Sequence, residues 1–416
     1  MSREDSGCGP LIAPLTDANR SLRQQIFERV RAAGQISRID VSKALNVSPA
    51  SVTTATSELI EEGLLSEIAI DRPAGDTARG RPPVGLAVRA EAYHVAGLKL
   101  SDRDFSAVVA DFTGTVLASE QLPASPHGYD LETLLALSED LLDKVTRQAG
   151  LTRRDLAAVG IGLPGFVDHE KGLAIWSPVL TRRDVALAPA AAARFGVPVV
   201  IDNDANLVTL AELWFGVGRT IADFAVVTIE HGVGMGLVSG HKLMRGGNGL
   251  GTELGHTKVQ IDGALCRCGQ RGCLEAYVAD YALAREAMTA LRLGAEEQAN
   301  MALLLERLFD QAKAGNTGAR TIFRRAGRYL AVGLANVANL FDPSLIILSG
   351  ERMRYDYLYA DEVLDEMKDL ALNTGRALPP VKVHAWGDLL WAQGAAALAL
   401  SFLADDVLAT RREAAQ

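Results

Sequence analysis

The feature that most constrains this chain is a cluster of three cysteines between residues 266 and 273, in a chain with four cysteines in all. With a histidine ten residues earlier they form the pattern H-x9-C-x-C-x4-C, made by His256, Cys266, Cys268 and Cys273. Zinc favours four such nitrogen and sulfur ligands in a tetrahedron. Interleaved glycines permit the tight turns that this convergence needs. The pattern predicts a structural Zn²⁺ site; an iron–sulfur cluster and a group of free buried cysteines are the alternatives.

The length of the chain, 416 residues, exceeds what one ordinary core holds, so two or three domains are expected. No run of about 18 apolar residues is present, and the N-terminal segment lacks an apolar stretch of signal-peptide length. We therefore expect a cytoplasmic protein with no membrane association. In that reducing compartment, clustered cysteines favour metal binding over disulfides.

The distribution of charge matters more than its total of −9. Residues 1–90 carry 11 basic and 11 acidic side chains, so the whole excess of acid lies in the remaining 326 residues. A neutral N-terminal part permits a small DNA-binding domain without demonstrating one.

Residues 22–70 have the pattern of three short helices followed by a strand and a turn-rich segment. The first helix should end at Gly34, and the third should begin with Ser48 as N-cap and Pro49 in its first turn. This order predicts a winged helix-turn-helix domain over residues 1–87. A small helical dimerisation or lid module is the alternative.

The third helix, predicted over residues 49–62, would enter the major groove of double-stranded DNA. The wing that follows would reach phosphates or a narrow minor groove. The candidate DNA contacts are Ser51, Thr53, Thr54 and Thr56 on the helix, with Arg79 and Arg81 in the wing.

The pattern changes near residue 88, where strand-like and helical segments begin to alternate. Alternation of this kind predicts an α/β architecture with helices packed on mixed sheets. We place the second domain at residues 88–416.

The segments "GTELGH" and "CRCGQRGCLEAY" resemble the signature of the ROK family, which comprises sugar-responsive repressors and sugar kinases of the actin-like ATPase fold. The resemblance covers residues 88–416 and implies a two-lobed actin-like, sugar kinase-like domain with a zinc loop. The winged N-terminal domain matches the repressor branch, which is similar to repressors that respond to xylose or N-acetylglucosamine.

The resemblance also implies which residues bind a sugar: Asn203, Asp204, Glu253, His256 and Glu275. Carboxylates and amides are the acceptors and donors that polyols require, and a metal-anchored loop can hold them rigidly. His256 would then serve both zinc and the sugar. A solvated surface charge is the alternative for either glutamate alone. Val179 stands where many members have an asparagine, which would leave one sugar hydroxyl without a partner or would suit a ligand that lacks that hydroxyl.

The phosphate-binding motif of the family's kinases is degenerate in this chain. Lys99 stands where those kinases have an aspartate that serves Mg²⁺, and Ser101, Asp102 and Arg103 replace two glycines and a threonine. An ammonium group cannot hold Mg²⁺, and side chains obstruct close approach of phosphate. We therefore expect no kinase activity.

Two further positions bear on catalysis. His231 stands where a small hydroxyl residue is usual in the second phosphate segment. Asp204, the family's catalytic base, is retained, but a role in binding sugar explains its presence equally well, so we interpret it as a vestigial base.

Together these features predict a sugar-responsive transcriptional regulator, most simply a repressor, that binds a palindromic operator as a homodimer or homotetramer. The competing class is an ATP-dependent sugar kinase with an accessory N-terminal domain. A third possibility is a regulator that answers to a phosphotransferase-system protein, as some family members are thought to do.

Overall fold

A computed structural model describes residues 7–11, 20–69, 84–125, 127–291, 300–350, 353, 361–372, 375, 377–384, 387 and 389–409. The chain divides into two compact units. The first comprises Met1–Ala222, Gly240–Lys242 and Asp388–Gln416, and the second comprises Asp223–Ser239 and Leu243–Gly387. Within the described ranges no helix has the length and apolar character needed to cross a membrane.

The first unit begins with three helices and a small antiparallel sheet of strand order β1-β3-β2. These elements are α1 (Leu22–Ala33), β1 (Ile36–Ser37), α2 (Arg38–Leu45), α3 (Pro49–Glu61), β2 (Leu65–Ala69) and β3 (Val84–Val88). Ser48 caps α3 by accepting a hydrogen bond from the amide of Ser51, and Gly34 ends α1. The predicted ends of both helices are confirmed. The predicted domain boundary after residue 87 falls within β3, one residue before its end.

The rest of the first unit is a five-stranded sheet of order β10-β7-β4-β5-β6, flanked by helices and a two-stranded β8–β9 ladder. The strands are β4 (His94–Leu100), β5 (Asp104–Asp111), β6 (Val116–Pro123), β7 (Leu156–Leu163), β8 (Phe166–Asp168), β9 (Leu173–Trp176) and β10 (Val199–Asn203). The helices are α4 (Leu131–Gln148), α5 (Leu187–Phe195), α6 (Asp204–Phe215) and, from the end of the chain, α12 (Leu390–Ala409). Strand β6 alternates between exposed and half-buried residues because it forms an edge of the sheet.

The second unit contains another five-stranded sheet, of order β13-β12-β11-β14-β15. Its strands are β11 (Phe224–Ile229), β12 (Val233–Ser239), β13 (Lys242–Met244), β14 (Leu345–Ser349) and β15 (Val381–Val383). Its helices are α7 (Glu275–Val278), α8 (Asp280–Ala290), α9 (Met301–Lys313), α10 (Thr317–Phe341) and α11 (Asp361–Leu370).

The two sheets share one topology. In each, the first strand pairs antiparallel with the second and parallel with the fourth, and the fourth pairs parallel with the fifth. In each, the third strand forms the far edge beside the second. The α/β prediction is confirmed, and the two units repeat one strand order.

Candidate functional site

The cysteine loop, residues 256–275 of the second unit, brings the four predicted metal ligands together. One ligand atom from each of His256, Cys266, Cys268 and Cys273 lies within 4.8 Å of the others. The Sγ atoms of Cys268 and Cys273 are 3.8 Å apart, as are Sγ of Cys266 and Nδ1 of His256. A zinc tetrahedron with Zn–S near 2.3 Å has edges of about 3.8 Å. The four groups can therefore hold a metal ion, and the spacing fits zinc.

The backbone of the cysteine loop explains how closely spaced thiols converge. The amide of Cys266 donates to the carbonyl of Gln270 at 2.8 Å, and the amide of Gly269 donates to the carbonyl of Cys266 at 3.0 Å. Gly255, just before the histidine, lies so close to β12 that a Cβ atom there would be 2.1 Å from the carbonyl oxygen of Val233. Glycine is therefore required between Glu253 and His256, because no other residue allows this approach.

Two residues beside the thiols were not identified from the sequence. Nζ of Lys258 donates to Sγ of Cys273 at 2.9 Å, and this hydrogen bond raises the pKa of the lysine. The hydroxyl of Tyr281 donates to Sγ of Cys266 at 3.6 Å. Three thiolates and one neutral imidazole would leave a zinc complex with one net negative charge, so an ammonium group nearby is favourable. A lysine two residues after the histidine was the available signal.

Burial raises the pKa of the Cys266 thiol to about 12. A metal ion binds the thiolate, so it must displace a proton that the chain otherwise holds firmly. Metal loading of this site should consequently weaken as the pH falls.

Of the predicted sugar residues, Glu275 and Glu253 lie in the same unit as the cysteine loop. Glu275 is buried at the start of α7, where its Oε1 is 3.5 Å from Sγ of Cys266 and accepts a hydrogen bond from Tyr281 at 3.3 Å. Glu253 is half-buried and immediately precedes the short 3₁₀ turn Leu254–His256. The loop thus holds the carboxylate of Glu275 beside the metal ligands, and Glu253 lies in the sequence just before the loop begins.

His256 is one of the predicted metal ligands. The remaining predicted sugar residues, Asn203 and Asp204, lie in the first unit where β10 passes into α6. Asn203 is the N-cap of α6, and its Oδ1 accepts a hydrogen bond from the amide of Asn206 at 2.8 Å. Behind them the buried carboxylate of Asp202 accepts from the amide of Asn203 and from Nδ2 of Asn206, both at 2.8 Å. The strand end and the helix cap therefore fix the pair, and Asp202 is a positioning residue that the sequence did not reveal.

Burial raises the pKa of Asp204 to about 6, opposed by a hydrogen bond from the amide of Ala205 and by the charge of Lys99. A carboxyl group with a pKa near neutrality can accept a proton at physiological pH, which suits a general base. The same carboxyl also suits a hydrogen-bonding role toward a polyol.

The Lys99 turn, residues 99–104 of the first unit, contains an ion pair. Nζ of Lys99 is 3.2 Å from Oδ1 of Asp104 and lies 4.6 Å from the ring centre of Trp391. Ser101 donates a hydrogen bond to the same carboxylate at 3.0 Å. In the second unit, Nδ1 of His231 lies 2.8 Å from Oδ2 of Asp280. Both substituted positions thus have carboxylate partners of their own within the protein.

From its sequence position, Val179 is expected to face the sugar. Its side chain is fully buried in the hydrophobic core of the first unit, with neighbours such as Leu180 and Val185 in the same cluster. A side chain with no exposed surface offers no contact to a ligand. A buried valine supplies no amide to a ligand, so the expectation that one sugar hydroxyl lacks a partner here stays a prediction.

The helix α3 presents some of the predicted DNA contacts to solvent and hides another. Ser51, Thr53 and Thr54 are exposed. Thr56 is fully buried, where its hydroxyl accepts a hydrogen bond from Nε of Arg38 at 3.0 Å and donates to the carbonyl of Thr53. The prediction for Thr56 is wrong, because this face of the helix packs inward. Arg79 and Arg81 lie outside the described residues.

Comparison with known proteins identifies the family. A family model described as "ROK family" matches residues 95–401, so the chain belongs to the ROK family. The chain is 30% identical over 333 residues to a xylose repressor of Caldicellulosiruptor bescii, which spans 79% of this chain and 82% of the repressor. The family resemblance is thereby confirmed.

Two solved structures show how far each branch of the family extends over the chain. A ROK family transcriptional regulator, described as a homologue of the E. coli MLC protein, matches with a TM-score of 0.76 and 26% identity over 93% of this chain and 97% of that one. A ROK glucokinase from Streptomyces griseus, solved with glucose and AMPPNP, matches with a TM-score of 0.63 and 28% identity over 74% of this chain and 99% of the kinase. The regulator accounts for more of this chain than the complete kinase does.

Proposed function

We propose that this protein is a DNA-binding transcriptional repressor whose operator affinity is controlled by a sugar bound in its ROK domain. The observation that carries the proposal is the extent of the regulator match, which reaches 93% of the chain where the kinase match stops at 74%. The relative with 30% identity is also named as a repressor. The N-terminal elements supply the part that a kinase does not need.

The N-terminal domain, residues 1–87, acts as a winged helix-turn-helix in this proposal. Its helix order and its antiparallel sheet of β1, β3 and β2 support this assignment. The exposed Ser51, Thr53 and Thr54 of α3 contact the major groove, and Arg79 and Arg81 contact the backbone or minor groove. A homodimer or homotetramer presents two such domains to a palindromic operator.

The ROK domain, residues 88–416, binds the effector through five residues: Asn203, Asp204, Glu253, His256 and Glu275. Zinc held by His256, Cys266, Cys268 and Cys273 is structural, since four protein ligands leave no open position for water. A ligand that favours the arrangement with weak DNA affinity by 2–3 kcal/mol lowers operator affinity about 30- to 150-fold.

Selection from a random duplex library tests the proposal with the full-length, zinc-loaded chain. We expect a palindromic sequence to be enriched, with an affinity at least about 10³ times that for unselected DNA. Fluorescence anisotropy with the selected duplex, repeated with monosaccharides, amino sugars and sugar phosphates, should identify a sugar that weakens binding. Enrichment of no sequence would refute the DNA-binding function.

Replacement of Ser51 and Thr53 together by alanine tests the DNA contacts of α3, and Thr56→Ser is the matched control. Because both side chains are exposed on α3, the variant should lose about 1–3 kcal/mol of duplex affinity while binding the sugar normally. Thr56→Ser, at a buried position of the same helix, should leave duplex contacts unchanged.

Sugar phosphorylation is the second candidate function, because Asp204 is retained and its pKa is raised to about 6. A coupled ATPase assay over hexoses and pentoses separates the two functions. Kinases of this kind turn over at about 1–100 s⁻¹. We expect no sugar-dependent turnover above background, because Lys99 is paired with Asp104 and offers no ligand for Mg²⁺.

A further inference from the structure

A short N-terminal segment, residues 7–11, joins the ends of two helices within the first unit. The amide of Cys8 donates to the carbonyl of Arg31 in α1 at 3.1 Å, and the amide of Gly9 donates to the carbonyl of Trp214 in α6 at 2.8 Å. The amide of Leu11 donates to the carbonyl of Arg219 at 2.8 Å. Cys8 is 3% exposed. We call residues 7–11 the strap; the sequence alone had suggested no role for Cys8.

Arg219, just beyond α6, completes the connection to α1. Its Nε donates to the carbonyl of Gly9 at 3.2 Å, and its Nη2 donates to the carbonyl of Ala32 at 2.5 Å. The last carbonyls of a helix have no partner within it and carry the negative end of the helix dipole. A buried guanidinium group at this position therefore binds α1 to the strap through both charge and hydrogen bonding.

Arg31 adds a direct contact between the two helices. Its guanidinium lies 4.2 Å from the ring centre of Trp214 and 5.7 Å from that of Phe27, and the residue is 5% exposed. Within the part of the chain that the structure describes, its Nε and Nη1 have no hydrogen-bond partner. Burying a guanidinium group with two unbonded nitrogens costs free energy. This arrangement is therefore less strongly favoured over an alternative conformation than a fully hydrogen-bonded one would be.

Helix α6 connects this contact to the residues proposed to bind sugar. It begins at Asp204, with Asn203 as its N-cap, and ends at Phe215; the residue before its end, Trp214, contacts both the strap and Arg31. At 1.5 Å per residue its 12 residues span about 18 Å. It packs along α12, and packed helices shift as rigid elements in many conformational transitions.

We infer that the strap, Arg31 and Arg219 form a clamp that couples the N-terminal helices to α6, and that the clamp transmits the sugar-bound state to the DNA-binding surface. Arg31 and Arg219 are positioning residues in this account, since they touch neither sugar nor DNA. The inference rests on the proposed function, because it assigns a route between two sites that the function requires.

The first test uses Cys8 as an intrinsic reporter of the clamp. In the zinc-loaded full chain at pH 8, we would follow alkylation of Cys8 by N-ethylmaleimide with peptide mass spectrometry. The wild-type thiol should react slowly, because burial raises its pKa to about 11. Arg219→Ala should accelerate the reaction at least about tenfold by freeing the strap.

The second test measures coupling in the same variant. Duplex selected by the wild-type chain is titrated with and without the most effective of D-xylose, D-glucose and N-acetyl-D-glucosamine, and sugar affinity is measured by calorimetry. Arg219→Ala should bind duplex and sugar each within about threefold of wild type, while the effect of sugar on duplex affinity falls from about 30-fold or more to less than about threefold. A purely structural arginine would instead weaken both bindings together, and that result would overturn the inference.

Gly7→Val tests the clamp without removing an arginine from the interior. A Cβ atom at Gly7 would lie 2.2 Å from the carbonyl oxygen of Ala32 and 2.5 Å from that of Arg31, so the strap cannot seat. The variant should reproduce both effects of Arg219→Ala. Arg154→Ala, at an exposed arginine of the same unit, should match wild type in every measurement.

The outcomes separate the clamp from the proposed function. Unchanged Cys8 reactivity in both Arg219→Ala and Gly7→Val, or a full sugar response in either, would overturn the clamp while leaving the repressor function intact. A wild-type chain that selects no duplex or responds to no sugar would overturn the proposed function itself, and with it the role of the clamp in transmission.

Discussion

The cysteine loop of the second unit and the Lys99 turn of the first unit differ in how their polar groups are arranged. In the loop, four metal-ligating atoms lie within 4.8 Å of one another, and Glu275 stands beside them. In the turn, the ammonium group of Lys99 is paired with the carboxylate of Asp104. The loop therefore groups ligand atoms that can hold a metal ion, whereas the turn neutralises its charges within the chain.

The largest expected effect tests the metal ligands of the cysteine loop. Cys268→Ser should lower the zinc content from about one ion per chain to background, because three ligands bind far more weakly than four. The loss should also lower the midpoint of thermal unfolding. Metal analysis by mass spectrometry and calorimetry would measure the two effects.

Cys8→Ser is the control for that substitution, since Cys8 lies outside the ligand group. It should retain the full complement of zinc. Unchanged metal content in Cys268→Ser would show that the assigned ligand set is wrong.

The second prediction asks whether the loop serves the sugar as well as the metal. Glu253→Ala should weaken sugar binding by about 2 kcal/mol, roughly 30-fold, because one charged acceptor is removed from a polyol. Affinity for the selected duplex and zinc content should stay at wild-type values. Calorimetry with the effective sugar measures the first quantity; loss of sugar and duplex binding together would mean that Glu253 is merely structural.

The third prediction concerns the ion pair of the Lys99 turn. Lys99→Met should destabilise the chain by about 1–2 kcal/mol, since it leaves the carboxylate of Asp104 without its cation. Lys144→Met, which removes an exposed pair with Asp140, should cost less than about 0.5 kcal/mol. Urea unfolding of both variants measures the contrast, and equal effects would argue against a structural ion pair in the Lys99 turn.

The smallest effect is a dependence on pH at Asp204. Its folded-state pKa is raised from 3.8 to about 6, so the folded state holds the proton more tightly than the unfolded state does. The stability that Asp204 contributes is therefore fully present below pH 3.8 and is lost as the pH rises through 6.

Asp204→Asn cannot ionise and should exceed wild type in stability at pH 7 by about 1 kcal/mol, a figure reduced because the side chain is partly exposed. The difference should disappear near pH 4. Urea unfolding at both values measures it, and the subtraction removes the contribution of the metal site, which both chains share. A constant difference would mean that Asp204 is ionised throughout.

The sequence predicted those features whose signals are local. Ser48, Pro49 and Gly34 mark helix ends through interactions within one turn, and the structure places the ends there. The cysteine spacing likewise restricts the ligands to a few residues of loop, and they converge.

Thr56 was misassigned although the necessary signal was present. It lies four residues after Val52 and three before Leu59, both fully buried, and this spacing places all three on one helix face. Its polar character suggested exposure. In the structure a hydrogen bond from Arg38 satisfies the buried hydroxyl instead.

The strap could not be foreseen, because its partners are remote in sequence. Residues 7–11 bond to Arg31, Trp214 and Arg219 through main-chain groups, which every residue type possesses. Val179 shows the same limit, since its burial depends on how the core of the first unit packs. Such contacts follow from tertiary structure and leave no local pattern.

The cap of α6 also limits what Asn203 can distinguish in a bound molecule. Oδ1 already accepts the amide of Asn206, so the side chain has one acceptor lone pair left beside its two Nδ2 hydrogens. In the proposed sugar site, Asn203 would therefore act mainly as a donor, from Nδ2 to the lone pairs of a sugar hydroxyl. An O-methyl ether that fits sterically should be tolerated there, whereas a deoxy analogue should be refused.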